Sequence, residues 1–157
     1  MAAAGEFTGV TRRLGCLRGI CTLSGFALAT EIGDWSRFSG SSIGAYLGLV
    51  PSENSSGTRV QRGPITRAGN THARRLLIEA AWHHTPNYVP GVALRKRWEL
   101  LGDPQVALRG DKGNRRLAGR RRRLQDRNVE ARKINTAIAR ELAGWCWSPA
   151  VTDRAAA

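Results

Sequence analysis

A chain of 157 residues, 41% of them apolar, is long enough for one domain with its own core, and that apolar content excludes a disordered polyelectrolyte. Its 25 Lys and Arg against 12 Asp and Glu leave a formal charge of +13, which points to a polyanion partner; 22 Arg to 3 Lys favours nucleic acid over a membrane surface, because a planar guanidinium fits phosphates and base edges. With no run of 18 apolar residues and no apolar h-region in MAAAGEFTGVTRR, the expectation is a cytoplasmic protein with no membrane partner.

Residues 1–12 are small, glycine-containing and unpatterned, and are expected to form a disordered tail or the remnant of a truncated reading frame. Leu14–Leu17 is a short apolar turn that stops at Arg18-Gly19-Ile20-Cys21. Thr22 can cap a helix running to about Ile32, with Gly33 at the C′ position. Ser39 offers an N-cap to a short helix ending near Leu47, in which Ile43, Tyr46 and Leu47 stand three and four apart. PSENSSGT (51–58) and RVQRGPITRAGN (59–70) then form a polar loop, and Val60–Ile65 is too short and interrupted to predict a strand. Gly69-Asn70 introduces the most regular helix, with Ala73, Leu76, Leu77, Ala80 and Ala81 as an apolar stripe and Arg74 and Arg75 beside it; Pro86 and Pro90 close the segment.

A helix over Val92–Leu101, a basic stretch from Arg109 to Lys133 with 11 basic and 3 acidic side chains, and a helix from about Asn128 to Trp147 complete an all-α reading. The domain division is a tail over 1–12, a helical domain over 13–84, a basic helical extension over 85–150 and a tail over 151–157. Charge is divided at the polar loop instead: residues 1–50 carry 4 basic and 3 acidic side chains, residues 51–157 carry 21 and 9.

Each feature with chemical content has a plain reading beside it. Cys16, Cys21 and Cys146 cannot close a disulfide framework and include no Cys-x-x-Cys pair, while His72, His83 and His84 lack ligand spacing; no metal site is expected in this chain. The turn at Gly19 resembles a helix-hairpin-helix element, in which a glycine turn presents amides to a phosphate; an ordinary corner between two helices fits the same residues. The run Arg120, Arg121, Arg122 and Arg123 is a candidate DNA or RNA contact, or a solvated helix face. Trp35, Trp82, Trp98, Trp145 and Trp147 are scattered rather than interleaved with Arg, as core or interface residues are. The serines of the polar loop form either a surface turn or a nucleophile. No Gly-x-Ser-x-Gly or Ser-x-x-Lys motif is present, whereas Arg59, Arg62 and Arg67 are close in sequence and suit the charge of a phosphodiester under attack.

The runs RGICTLSGFALATEIGDWSRF (18–38), AYLGLVPSENSSG (45–57), ITRAGN (65–70) and RRLLIEAAW (74–82) together resemble the C-terminal domain of the insertion-sequence one-ten family of transposases. RWEL (97–100), GNRRL (113–117) and IARELAGWCW (138–147) are similar to the tail of many members. The resemblance implies DNA transposition by a recombinase guided by a structured bridge RNA. An N-terminal RuvC-like domain would hold magnesium on four acidic residues, and this domain would supply a serine nucleophile. The serine before the glycine matches Ser56, with Ser55 the alternative. It further implies DNA, guide RNA and a RuvC-like domain or intact transposase chain as partners, and a homo-oligomer for the intact enzyme.

Glu6, Glu31 and Asp34 do not replace the acidic tetrad, so the chain is expected to be a fragment that needs a metal-bearing partner and is inactive alone, with no cofactor of its own. A non-catalytic helix-hairpin-helix nucleic-acid module is the other reading. The fold expected on both is a helix-hairpin-helix-containing all-α domain with a polar active-site loop and a basic helical tail, and its nucleic-acid contacts are Gly19, Arg59, Arg62, Arg67, Arg74, Arg75 and Arg120 to Arg123.

Overall fold

The computed structural model describes residues 5–152, without the side chains of Asn54 and Ser55. Helices α1 (Thr8–Leu14) and α2 (Thr22–Ile32) are joined by a tight turn around Gly19, whose φ is 84°. The cap of α2 is Cys21 rather than Thr22: its amide donates to Ser24 Oγ at 2.9 Å while its sulfur faces the Ser24 amide. The helix ends at Gly33, φ 65°, where the sequence places it. A 3-10 turn over Trp35–Arg37 leads to the short helix α3 (Ile43–Tyr46). Ser39 and Ser42 donate their amides to each other's hydroxyls at 2.8 and 3.1 Å, so Ser39 closes the turn before the helix instead of capping it.

Strands β1 (Pro51–Ser56) and β2 (Arg59–Ile65) form an antiparallel hairpin. Helix α4 (Thr71–Ala81) begins at Asn70, whose side chain accepts the Ala73 amide at 2.9 Å. Helix α5 (Val92–Leu101) stops on left-handed Gly102. Helix α6 (Pro104–Asp126) opens on Asp103, which accepts from the amides of Gln105 and Val106, and helix α7 (Ala131–Ala150) follows a turn in which Asn128 has φ 53°.

Three expectations are corrected here. The fold is mostly helical, in keeping with the all-α expectation, but residues 51–65 form a hairpin where the sequence reads as loop. A strand is recognised in sequence by alternating burial, and β2 has none: every residue from Arg59 to Pro64 is exposed and only Ile65 is partly covered. The pairing follows from the two-residue turn Gly57-Thr58, with Gly57 at φ 61°, the sign that short hairpin turns need. Residues 8–12 are helical instead of tail, since Arg13 donates to the carbonyls of Pro149 at 2.8 Å and Ala150 at 3.3 Å, a tie across 136 residues that no local pattern carries. The C-terminal helix, expected from about Asn128 to Trp147, runs from Ala131 to Ala150 with Pro149 in its last turn.

Helix α7 is the centre of the molecule and packs against α1, α3, α4 and α6. Ile134, Ile138, Leu142 and Cys146 of α7 share one core with Leu77 and Ala81 of the predicted stripe and with Leu14, Leu17, Ile43 and Leu47, so residues on both sides of position 84 bury the same apolar surface. No helix among the described residues is long and apolar enough to cross a membrane.

Two buried side chains that can carry charge, Arg121 and His84, set how this core responds to substitution and to pH. Arg121 is 5% exposed and donates to the Ala81 carbonyl at 2.9 Å and to Asn135 Oδ1 at 2.8 Å, joining α4, α6 and α7. Replacing it strands a buried carbonyl, so Arg121→Gln is expected to cost about 2–4 kcal/mol in denaturant unfolding, while Arg123→Gln, on the exposed face, stays within about 0.5 kcal/mol. Equal losses in the two variants would contradict this placement.

Burial pushes the pKa of His84 down to about 4, with the charges of Arg18 and Arg121 adding to the effect and a backbone contact at Arg18 opposing it. The folded imidazole therefore stays neutral where the unfolded one, near 6.5, takes up a proton. Stability is complete above about pH 6.5 and falls as the pH drops towards 4, by about 2 kcal/mol between pH 7 and pH 5. Unfolding curves at those two pH values should show this loss in the parent and a much smaller one in His84→Gln; an unchanged pH slope in the variant would refute it.

Candidate nucleic-acid interface

The hairpin stands on a platform made by two glycine turns. Gly48 and Gly69 have φ of 66° and 72°, and a side chain on either would strike backbone, that of Arg67–Ala68 for Gly48 and that of Tyr46 for Gly69. Thr66 N–H donates to Val50 O at 3.0 Å and Arg67 N–H to Gly48 O at 3.1 Å, and Arg67 takes the left-handed φ of 56° to do so. Beneath this joint lies Arg74, 8% exposed, with its guanidinium on Leu47 O at 3.1 Å, Ala68 O at 2.9 Å and Thr71 Oγ1 at 3.2 Å. These bonds fix the hairpin's root to α4; they leave Arg74 turned into the protein, away from a nucleic-acid surface.

Above the joint the hairpin is exposed. Ser56 stands opposite Arg59 at its far end, Ser55 opposite Val60 and Glu53 opposite Arg62, with a register shift between Pro51 and Glu53. Ser52 Oγ donates to Pro64 O at 2.9 Å across the bulge. Six residue steps lead from Arg59 to Ile65, so the strand is about 20 Å long. His72 is at the root, where its Nδ1 lies 2.7 Å from Glu31 Oε1, and Asn70 donates to Glu31 Oε2 at 2.6 Å. The Asn70 bond first, then His72, holds the Glu31 carboxyl below the usual carboxylate range. This group cross-links α2 and α4 a hairpin's length from Ser56.

Other sequence-selected residues are dispersed. Gly19 packs under Ala80, whose carbonyl a side chain would strike. The turn around it is tied down by Arg18 N–H on Asn114 Oδ1 at 2.9 Å, by Trp98 Nε1–H on Cys16 O at 3.0 Å and by Arg97 on Ile20 O. Arg75 is exposed and pairs with Glu79 at 2.9 Å. Arg120 to Arg123 do not form a patch, because successive helical residues turn by about 100°. Arg120 pairs with Glu141 at 3.2 Å, Arg121 is buried, Arg122 donates to Pro86 O at 2.8 Å and Arg123 faces solvent. The sequence reading missed Arg109 and Arg140, which line one groove with Arg120 between α6 and α7, and Arg116, which shares Glu141 with Arg120; the signal was the spacing of Arg109, Arg116 and Arg120 along one helix face. Cys16 and Cys146 are buried free thiols, and burial pushes Cys16 up to about 12 and Cys146 upward as well. Among the described residues no group of three or more His, Cys, Asp and Glu could hold a metal ion.

The sequence is similar to known proteins of one kind. The y4qE protein of Sinorhizobium fredii, named as a transposase, is 41% identical over 137 residues, 86% of this chain and 35% of that protein. A protein of Pseudomonas aeruginosa named as a family 20 transposase is 39% identical over 71 residues, and the transposase for insertion sequence element IS1328 of Yersinia enterocolitica is 37% identical over 71 residues; each match covers 45% of this chain and 21% of the relative. The chain thus spans about a third of the length of y4qE and about a fifth of the other two in the matched regions. Residues 11–94, which include the whole hairpin and its platform, match the model of the family described as Transposase IS116/IS110/IS902. With more than half of its length matched, the chain belongs to the IS116/IS110/IS902 family of transposases.

Proposed function

We propose that this chain provides the strand-transfer hairpin of a transposase, with Ser56 as the nucleophile towards a DNA phosphate and Arg59 and Arg62 as the charges that meet that phosphate. The observation that carries the reading is the hairpin itself: Ser56 opposite Arg59, exposed at the end of a strand pair whose root is fixed by the buried Arg74. A polar ribbon that buries nothing along most of β2 is a surface for an external partner. In the step proposed, a bond forms between Ser56 Oγ and phosphorus as one ester bond of the DNA phosphate breaks. The serine proton passes to water, the departing DNA oxygen takes one up, and the phosphoserine conserves the energy of the broken ester. Guanidiniums beside the phosphate stabilise the charge that grows on its oxygens.

Nothing within the described part of the chain activates Ser56, since His72 is at the other end of the hairpin and the acidic groups do not gather into a metal site. The reading therefore places activation on a RuvC-like, magnesium-binding domain and gives the working enzyme a guide RNA, DNA and more than one protomer. The α1–α2 turn is read as a helix-hairpin-helix phosphate contact through the exposed start of α2 at Thr22 and Leu23, whose amides precede the first intrahelical hydrogen bonds; Gly19 serves its packing.

With the RuvC-like domain, guide RNA, magnesium and cognate DNA supplied, the chain is expected to give a protein–DNA species that survives denaturation. Ser56→Ala should abolish it while DNA binding persists. If the adduct survives in Ser56→Ala and is lost in Ser55→Ala, Ser55 is the nucleophile. Survival in the double variant removes the serine mechanism and leaves a non-catalytic nucleic-acid module.

A further inference from the structure

On α6, Arg109, Gly113, Arg116 and Arg120 recur at i, i+4, i+7 and i+11, which returns each to one face of the helix. The antiparallel α7 meets them in order. Arg109 donates to Ser148 Oγ, the ring of Trp145 lies over Gly113 where a side chain would come within 2.8 Å of it, and the Glu141 carboxylate takes Arg116 Nε at 2.8 Å and Arg120 Nε at 3.2 Å. The segment 40–44 closes a third side, because Gly144 lets the Gly40 backbone come up to α7 and Gly40 itself rests on the ring of Trp147. The result is an open groove of about 590 Å³ whose walls include Arg109, Arg120, Arg140, Trp145 and Trp147.

Its charge is unbalanced. One carboxylate serves two guanidiniums, Arg109 meets a neutral hydroxyl, and Arg140 is exposed with no carboxylate partner among the described residues. Four guanidiniums less one carboxylate leave +3 along one face of α6 and α7. Arg109 and Arg120 are eleven residues apart, about 16 Å along the helix, or about five nucleotides at the 3.4 Å spacing of a stacked strand. Phosphate chemistry alone would suit a duplex equally. Trp145 and Trp147 line the groove as half-buried rings resting on Gly113 and Gly40, and an aromatic wall favours bases whose faces are free, as in a single strand, over those of a duplex, which are covered by neighbours. The Trp147 indole N–H has no acceptor among the described residues.

We infer that this groove binds a single-stranded polynucleotide, with Arg109, Arg120 and Arg140 on its phosphates and Trp145 and Trp147 against its bases. The inference rests on the reading of the chain as nucleic-acid-binding, but on residues separate from the hairpin. A transposase domain built this way holds two tracks, a ribbon for the DNA it attacks and a groove for an unpaired strand.

The test is fluorescence anisotropy of the whole chain with labelled oligothymidylate of about twenty nucleotides, longer than the roughly 4–16 nucleotides that single-strand-binding folds cover, and with a duplex of the same length. The double variant Arg109→Gln/Arg140→Gln is expected to lose about tenfold on the single strand, with the slope of log K against log salt reduced by about 1.4, at about 0.7 for each phosphate no longer neutralised. Its duplex affinity should be nearly unchanged. Arg59→Gln/Arg62→Gln should do the reverse. Equal losses on both substrates in the groove variant, or none on the single strand, overturn the inference. A hairpin variant that binds duplex as the parent does overturns the hairpin reading and leaves the groove standing. Arg140→Gln alone, at an exposed position without an ion-pair partner, should retain the parent's circular dichroism and still lose single-strand affinity; retained affinity counts against the groove. Oligouridylate in parallel tells an RNA ligand from a DNA one, and the groove variant's loss on either supports the site.

Discussion

Open carbonyls at the ends of helices and turns are closed in this protein by guanidiniums, buried at Arg13, Arg74 and Arg121 and half-buried at Arg97, and the rest of the structure depends on them. Arg121 closes the end of α4 at Ala81, Arg13 closes the end of α7 at Pro149 and Ala150, Arg74 gathers Leu47 and Ala68, and Arg97 reaches Ile20. Each joins parts of the chain far apart in sequence, and a hydrogen bond from a charged donor stabilises more than a neutral one. A helix that must pack on several neighbours, as α7 does, needs its partners held at fixed angles. The arginines, with Asn114 and Asn135, supply those angles where apolar contact alone would let elements slide.

The formal charge of +13 is consequently divided. Part of it is structural, turned inward onto backbone oxygens. Of the exposed remainder, two groups lie on separate faces, Arg59 and Arg62 on the hairpin and Arg109, Arg120 and Arg140 in the α6–α7 groove. A run such as Arg120 to Arg123 looks uniform in sequence and serves an ion pair, a buried tie, a loop carbonyl and solvent in turn.

What the sequence made legible was periodic or capped. The α4 stripe, its Asn70 cap, the Gly33 stop of α2 and the extent of α5 follow from local rules and stand in the structure. The hairpin escaped because a strand pair exposed on both faces carries no alternating pattern. The helical start at Thr8 escaped because its anchor is Arg13 on the far end of the chain. At the candidate site, Ser56 and Arg59 were chosen together from sequence and face each other across the ladder, whereas Arg74 and Arg121 were chosen for their charge, which says nothing about whether a guanidinium points in or out.

A helical body tied by buried arginines carries a hairpin that is exposed along nearly all of β2. A two-stranded hairpin without cover is marginal in water, so its amides report directly whether it is ordered by itself or by a partner. Hydrogen exchange read by mass spectrometry should show peptides from 51–65 exchanging fast in the free chain while those of α4 and α7 open only with global unfolding, and duplex DNA should slow the hairpin peptides selectively. Hairpin amides as protected as those of α7 before DNA is added, or unaffected once it is bound, would contradict the account.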